Sequence, residues 1–558
     1  MALTQQSQTS TNITLESLPF VVFDKIAFYL AFDPKDSRRK RENIFAFALV
    51  SKTCHQVATK YRFERLSIRV SGKKDLDKKL GDARARNQAW MPISEFIDWL
   101  PALKDLVFGC RQEVPICVLD ALEKAKPPRR LHVFACYLSS LYMEADSPHN
   151  IAPDGYRLIT SPCLYDVTAG CNGWQSSNVG MNDYNWDALL EMLERLAPGL
   201  RTVRINMDGN GNDQFMPQPP WTGYFMGEGA GNEDDDSALS SPASPGGKID
   251  KLALTGVSNV SQIVPLGRCT NFSMLRVIEI DIDDGIGLRE IMALAEIAEH
   301  DELVRRELSQ LDRTVSRLLN ALRSLRSINL KGYVFDKSFS ATLQCHNTTL
   351  REPAFISDKD YSHPWADYMP FTINQQRAGQ IKKLCLNIEV VKFIIPRTMG
   401  DNDEAAIYRV LAGLPCLKRV LLILLCQFIY NDCEPPCRYN IRDIFVHCAM
   451  DATLARSIFR TLLSAKNKLQ RATLRFARNF TTGSLPKPLD CAVDWIARSW
   501  ECERVLLTPG MEVRTKFLSR DAPDPCRDHT RPCFVESQVA VYQPIWKQLW
   551  PDGVDAEW

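Results

Sequence analysis

The chain has 558 residues, 45% hydrophobic and 24% charged, which is the make-up of a globular protein with a sizeable interior rather than of a disordered chain. Lys and Arg total 68 and Asp and Glu 67, so a net charge of +1 gives no overall field to draw it onto nucleic acid or an anionic membrane. Its 18 cysteines are widely spread and the polar start from Met1 to Leu15 lacks the apolar core of a signal peptide, so the thiols are expected to be reduced, buried and intracellular.

Residues 1–14 are polar and read as a disordered N-terminus. From Leu18 to Leu30 the chain reads LPFVVFDKIAFYL. Pro19 presets a first helical turn, and Val22, Ile26 and Leu30 recur every fourth residue, which predicts an amphipathic helix. A charged segment from Asp33 to Asn43 follows, carrying Arg38-Arg39-Lys40-Arg41; Asp33, Asp36 and Glu42 partly neutralise it, so it reads as a solvated loop rather than a nuclear import patch. Phe45, Ala48 and Leu49 mark a second short apolar face. Ser51 then offers a capping hydroxyl to a third helix that would set Cys54, Val57, Ala58 and Tyr61 on one side. Leu66-Ser67-Ile68-Arg69-Val70 alternates with the period of a strand.

The order of these elements resembles an F-box. The match runs through Leu18-Pro19, Val22, Ile26 and Leu30, then Leu49-Val50-Ser51-Lys52, Val57-Ala58 and Phe63-Glu64-Arg65-Leu66, and it covers residues 15–66. Val21 departs from the family, in which an acidic residue is common there. The resemblance implies that Leu18, Pro19, Val22, Ile26, Leu30, Leu49, Val50, Ser51 and Lys52 dock on a Skp-family adaptor. That adaptor would join a cullin carrying a RING ubiquitin ligase, with catalysis elsewhere in the complex. The alternative is that the same apolar positions only cap the repeats after residue 66.

From residue 67 onward one frame recurs, apolar-x-x-apolar-x-apolar, often with a basic residue after its first position. It is found at Leu103-Leu106-Phe108, Leu200-Val203-Ile205, Ile249-Leu252-Leu254, Leu275-Ile278-Ile280 and Leu325-Ile328-Leu330. Further copies are Ile381-Leu384-Leu386, Leu417-Val420-Leu422, Leu469-Ala472-Leu474 and Cys502-Val505-Leu507, with poorer ones at Pro128-Leu131-Val133 and Leu350-Pro353-Phe355. First positions 103 and 128, 249 and 275, and 325 and 350 lie 25, 26 and 25 residues apart. That is the period of a leucine-rich repeat, about 20 to 29 residues.

Amphipathic helices are predicted just ahead of several frames. They use Trp186, Leu189, Leu190, Leu193 and Leu196 before Pro198-Gly199; Val315, Leu318, Leu319 and Leu322; Ile407, Val410, Leu411 and Leu414; Ala455, Ile458, Phe459 and Leu462; and Val493, Ile496 and Trp500. A helix and a short strand that repeat must stack on their neighbours to bury their apolar faces. The expected fold is therefore α/β, a small N-terminal helical module followed over 67–558 by an irregular helix-strand solenoid with a parallel curved sheet, similar to leucine-rich repeats. The pairing resembles divergent fungal F-box proteins.

Residues 208–248, rich in Gly, Pro, Ser and acid, read as a disordered insertion in which Ser241 and Ser244 precede prolines. Val304, Leu308, Leu311, Val315, Leu318 and Leu322 have heptad spacing over fewer than three heptads, which favours a long helix packed on its own chain over a dimerisation helix. Cys426, Cys433, Cys437, His447 and Cys448, and Cys526, His529 and Cys533, lack paired C-x-x-C spacing and are read as free thiols rather than zinc ligands. Asp281, Asp283, Asp284 and Gly285 hint at a calcium loop, but Met292 stands where its bidentate Glu belongs. No metal or other cofactor is expected. Val420 to Tyr430, the longest apolar run, is about half of the ~20 residues a membrane-spanning helix needs, and no catalytic motif stands out.

The expected function is non-catalytic: a substrate-recognition subunit of a Skp-cullin-F-box ubiquitin ligase whose solenoid binds a target protein, with neither nucleic acid nor membrane as a partner. A freestanding repeat scaffold is the alternative. Arg201, Arg204, Arg276, Lys418 and Arg471 are the candidate target contacts.

Overall fold

A computed structural model describes residues 46–62, 65–68, 83–110, 113–136, 138–144, 153–170, 181–207, 248–257, 272–282, 297–332, 334–356, 371–428, 438–464, 467–480, 496–505 and 513–518, with isolated positions such as Ile26, Trp221 and Val493. The chain divides into two compact units, the first built mainly from residues up to Val203 and the second mainly from Ile249 onward.

In the first unit helices alternate with strands. In chain order they are α1 (Lys52–Arg62), β1 (Arg65–Ile68), α2 (Ala83–Asp98), β2 (Asp105–Phe108), α3 (Ile116–Lys124) and β3 (Arg130–Cys136). Then come β4 (Tyr142–Glu144), α4 (Pro153–Ile159), β5 (Leu164–Gly170), β6 (Met181–Asp183) and α5 (Asn185–Glu191). The strand β7 (Thr202–Asn206) contains the point where the division falls. The strands β1, β2, β3 and β5 lie side by side in that order, each parallel to the one before, while β4 and β6 form a separate antiparallel pair.

Frame residues Leu103, Leu106 and Phe108 are buried, as are Leu131 and Val133. Each such side chain contributes about 1.5–3 kcal/mol when taken fully out of water. Burial is not confined to apolar groups: the Arg129 guanidinium donates to the carbonyls of Ile97 and Leu100 at 2.8 and 3.0 Å, satisfying acceptors at the end of α2 with a cation suited to the negative end of its dipole. Asn185 clamps Leu138, accepting from its N–H at 2.8 Å and donating to its carbonyl at 3.4 Å.

The second unit continues the alternation with β8 (Lys251–Val257), β9 (Val277–Ile282), α6 (Ile297–Ala321), β10 (Ser327–Gly332), α7 (Asp336–His346) and β11 (Glu352–Ile356). It goes on through α8 (Gln375–Leu384), β12 (Val390–Pro396), α9 (Asn402–Ala412), β13 (Arg419–Phe428), α10 (Arg438–Cys448), α11 (Ala452–Leu462), β14 (Arg471–Phe480), β15 (Trp500–Arg504) and β16 (Val513–Phe517). From β8 to β14 every strand is parallel to its predecessor, and β15 and β16 then reverse direction to close the ladder antiparallel.

Helix starts follow capping chemistry. Asn374, Asp401 and Asp451 each accept main-chain N–H groups at the first turns of α8, α9 and α11. Ahead of α7 the capping residue is Phe335, which has no side-chain acceptor, and Asp312 of α6 supplies it instead by accepting from the Ser338 N–H at 2.9 Å. The predicted long helix with buried Leu311, Val315, Leu318 and Leu319 is α6, and this bond and the His346–Leu319 contact tie it to α7. Residues 304 and 308 of the heptad have side chains outside the described set.

The frames at 103, 200, 249, 275, 325, 350, 417 and 469 coincide with strands, as does the poorer one at 128 apart from its exposed Pro128. Two frames do not. Ile381 and Leu384 lie in α8 and Leu386 is exposed beyond it; the strand lies further on, with Ile388, Val391 and Phe393 buried in the frame positions. Cys502 sits in the middle of antiparallel β15 instead of leading a parallel strand, and Trp500, predicted to be helical, starts that strand. Four strands were not foreseen: the short β4, β6 and β16, and β5, which buries Leu164, Val167 and Ala169 in the same frame with a register irregularity against β3. The insertion over 208–248 lies outside the described residues, Ser241 and Ser244 included, apart from Trp221 and residue 248; Trp221 Nε1 donates to Glu191 at 2.8 Å. The N-terminus over 1–14 also lies outside them.

Candidate protein-interaction surfaces

The step into α1 is built by one short turn. Leu49 and Val50 N–H groups donate to Ala46 and Phe47 carbonyls at 3.1 and 3.2 Å, which turns Phe47 and Ala48 inward and the next two side chains outward. Leu49 is 86% exposed and Val50 56% exposed. Ser51 Oγ then accepts from the Cys54 N–H at 3.1 Å, capping α1, whose inner side buries Cys54, Val57 and Ala58. Lys52 is exposed on the first turn.

Leu49 and Val50 are thus two adjacent large apolar side chains left in water. Of the other predicted docking residues, Ile26 is helical and half-buried, while Leu18, Pro19, Val22 and Leu30 lie outside the described residues, as does Phe45. Of the apolar face expected at Phe45, Ala48 and Leu49, Ala48 is buried together with Phe47, while Leu49 is exposed beside Val50.

Met91 in the middle of α2, Phe96 in its last turn and Trp99 just beyond it are further exposed apolar groups of this unit.

On the other face of the first unit's strands, a charged cluster crosses β2, β3 and β5. His132 Nε2 lies 2.9 Å from Asp105 Oδ1 and Nδ1 lies 3.4 Å from Asp166 Oδ2, so a carboxylate faces each side of the ring. Arg130 also binds Asp105, at 2.8 Å. Burial alone would push the imidazole down, but hydrogen bonds and charge from Asp105 and Asp166 outweigh it and raise the pKa above the ordinary 6.5. The two carboxylates approach opposite sides of the ring rather than one point, an arrangement that ties three strands and does not chelate a metal ion.

The five basic residues predicted to contact a target have internal partners. Arg201 donates to the Lys248 carbonyl at 2.9 Å, Arg276 lies 3.6 Å from Asp250, Lys418 binds Glu389 at 2.7 Å, and Arg471 binds Glu501 and Glu503. Arg204 is half-buried in β7. These residues form the seam of the ladder as well as its surface.

On the strand face of the second unit, Ala354, Ile356, Ile394, Ile423 and Leu425 form a buried apolar cluster across β11 to β13, with Leu421 and Ala477 against it. The apolar run that starts at Val420 supplies Ile423 and Leu425 to it, because a strand covered on both faces is apolar at frame and alternate positions alike.

Burial pushes the thiols of Cys163, Cys385 and Cys502 up to about 11, so they are protonated at neutral pH and poor nucleophiles. Cys426 Sγ donates to the His447 carbonyl at 3.2 Å. Among the described residues no cluster of His, Cys, Asp or Glu is arranged to hold a metal ion; Cys433, Cys437, Cys526, His529, Cys533, Asp283 and Asp284 lie outside them. No described helix is long and apolar enough to cross a membrane. No family model matches the chain, and no curated protein matches it.

Proposed function

We propose that this protein is a substrate-recognition subunit of a Skp-cullin-F-box type ubiquitin ligase, with an F-box-like module over residues 15–66 and degenerate leucine-rich repeats after it. The observation that carries the reading is the Leu49-Val50-Ser51-Lys52 step. There a Ser-capped helix is preceded by two exposed apolar residues, at the place where the family's motif meets its adaptor.

The parallel helix-strand alternation supports the second half of the reading. An array of this kind can hold another protein on its strand edges and on strand faces other than the buried one across β11 to β13. Its work would be positioning: a target held on the array and a ligase core held at residues 15–66 meet at raised effective concentration, and no bond is made or broken by this chain.

The test is capture of a purified Skp-family adaptor by the full chain. A Pro19→Ala, Val22→Asp, Leu49→Asp triple variant that keeps the wild-type circular dichroism spectrum should lose the adaptor. If the wild-type chain does not bind the adaptor, residues 15–66 are a cap and the protein is a freestanding scaffold.

A further inference from the structure

Along the N-terminal edge of the second unit's strands, the leading residues are joined one to the next by main-chain hydrogen bonds. The Arg276 N–H donates to Asp250, Arg326 to Arg276, Arg351 to Arg326, Glu389 to Arg351, Lys418 to Glu389 and Gln470 to Lys418, all at 2.8 or 2.9 Å. Such bonds fix neighbours at the strand spacing of about 4.8 Å. The result is a rigid row of four cations and two carboxylates, in a chain whose total charge is only +1.

The charges are unevenly matched. Arg276 has Asp250 beside it, and Arg351 and Lys418 share the one carboxylate of Glu389 at 2.6 and 2.7 Å. Arg326 stands between Arg276 and Arg351, and among the described residues no carboxylate pairs with it; Glu352, one residue beyond Arg351, forms no ion pair with it. Like charges facing each other across neighbouring strands destabilise a sheet. Arg326 is thus the guanidinium of the three that no described carboxylate compensates, while it faces Arg276 and Arg351 on the neighbouring strands, and an anion laid across the row would compensate it.

We propose that Arg276, Arg326 and Arg351 bind a short acidic segment of a partner protein, with Arg326 as the central contact. Guanidinium groups suit this because each can hold a carboxylate through two parallel hydrogen bonds. The three strands span about 10 Å, the length of three or four extended residues. Asp250 and Glu389 flank the three arginines and already compensate Arg276, Arg351 and Lys418, so the uncompensated charge is confined to one short stretch, which favours a short acidic peptide over a nucleic acid strand. As the recognition of a ubiquitylation target the inference rests on the ligase reading; as a binding surface it stands without it.

The experiment titrates a fluorescent oligoglutamate peptide of about four residues into the full chain and into Arg326→Glu, Arg326→Gln and, as a control of equal charge change, Lys383→Glu on the exposed side of α8. The wild type should bind saturably, Arg326→Glu should weaken binding about tenfold or more, and Lys383→Glu should leave it within about twofold. The denaturation midpoint of Arg326→Gln should be unchanged or higher, as expected when a like-charge conflict is relieved.

The proposal is overturned if the wild type does not bind the peptide, if the two charge reversals weaken binding equally, if Arg326→Gln lowers the midpoint, or if a single-stranded DNA of equal length binds more tightly. Adaptor capture by Arg326→Glu, measured in parallel, separates this outcome from failure of the ligase reading.

Discussion

Arg397 and Glu404 meet inside the second unit, with Arg397 Nη1 donating to both carboxylate oxygens at 2.8 and 2.9 Å and the two side chains 6% and 0% exposed. The Glu404 carboxylate also accepts the N–H groups of Thr398 and Gly400, each at 2.8 Å, and the Tyr408 hydroxyl at 2.7 Å. One side chain thus fixes the loop from β12 to α9.

Replacing Glu404 with Gln should leave Arg397 charged and buried without its counter-ion, at a cost of about 3–5 kcal/mol, measured by denaturant unfolding of the full chain. Burial pushes the Glu404 carboxyl up, but Arg397, Tyr408 and the loop N–H groups outweigh it and hold it below the usual 4.5. Its stabilisation is therefore complete above that value and is lost as the pH falls below it. The Gln variant should show a shallower loss of stability on acidification.

The Asp312–Ser338 bond makes a second prediction, because it caps α7 from a different helix. Asp312→Ala should cost about 1–2 kcal/mol, and hydrogen exchange should quicken in the first turn of α7 before it does at the end of that helix.

Two glycines should behave oppositely. Gly332 has φ +74° and a Cβ built on it would press against the Ile282 carbonyl oxygen, so Gly332→Ala is expected to destabilise by more than about 1 kcal/mol. Gly379 lies inside α8 with nothing within 4 Å of such a Cβ, and Gly379→Ala should stabilise by about 0.5–1 kcal/mol. Thermal denaturation of the pair checks both signs.

His132 and His346 should give opposite pH slopes. The raised pKa of His132 contributes stability that is complete below 6.5 and lost as the pH rises through its folded value. In contrast, His346 is buried between α6 and α7, where burial lowers its pKa, and Nε2 donates to the Leu319 carbonyl at 3.1 Å; its contribution is complete above 6.5 and lost as the pH falls below that value. Local hydrogen exchange at Leu131 to Val133 and in α7, followed between about pH 5 and 8, should move in opposite directions, and His132→Gln should flatten only the first.

Much of the ladder was legible because a frame such as Leu325-Ile328-Leu330 is a local pattern whose burial needs only the next strand to be present. It failed where two patterns overlap. The end of α8 places Ile381, Leu384 and Leu386 at frame spacing by chance, seven residues before the frame that β12 uses. The strand at Leu164 was hidden because Ala169 closes its frame weakly and a register irregularity interrupts the pairing with β3.

The direction of β15 depends on its partners rather than on its own residues, so Cys502 looked like one more repeat. At the candidate site the sequence marked Leu49 and Val50 as a motif but did not single out Phe47, because one short turn decides which of Phe47, Ala48 and Leu49 points inward.

On the ligase reading, Leu49 and Val50 are exposed for a partner and not for the fold. The most direct measurement is the affinity of a purified Skp-family adaptor for the wild-type chain and for a Leu49→Asp, Val50→Asp variant, with denaturation midpoints taken on the same samples. Unchanged midpoints are expected, with affinity weakened about a hundredfold or more, as for truncation of an interface anchor. Equal affinity for the two proteins, or a loss of affinity that only tracks a loss of stability, would contradict it.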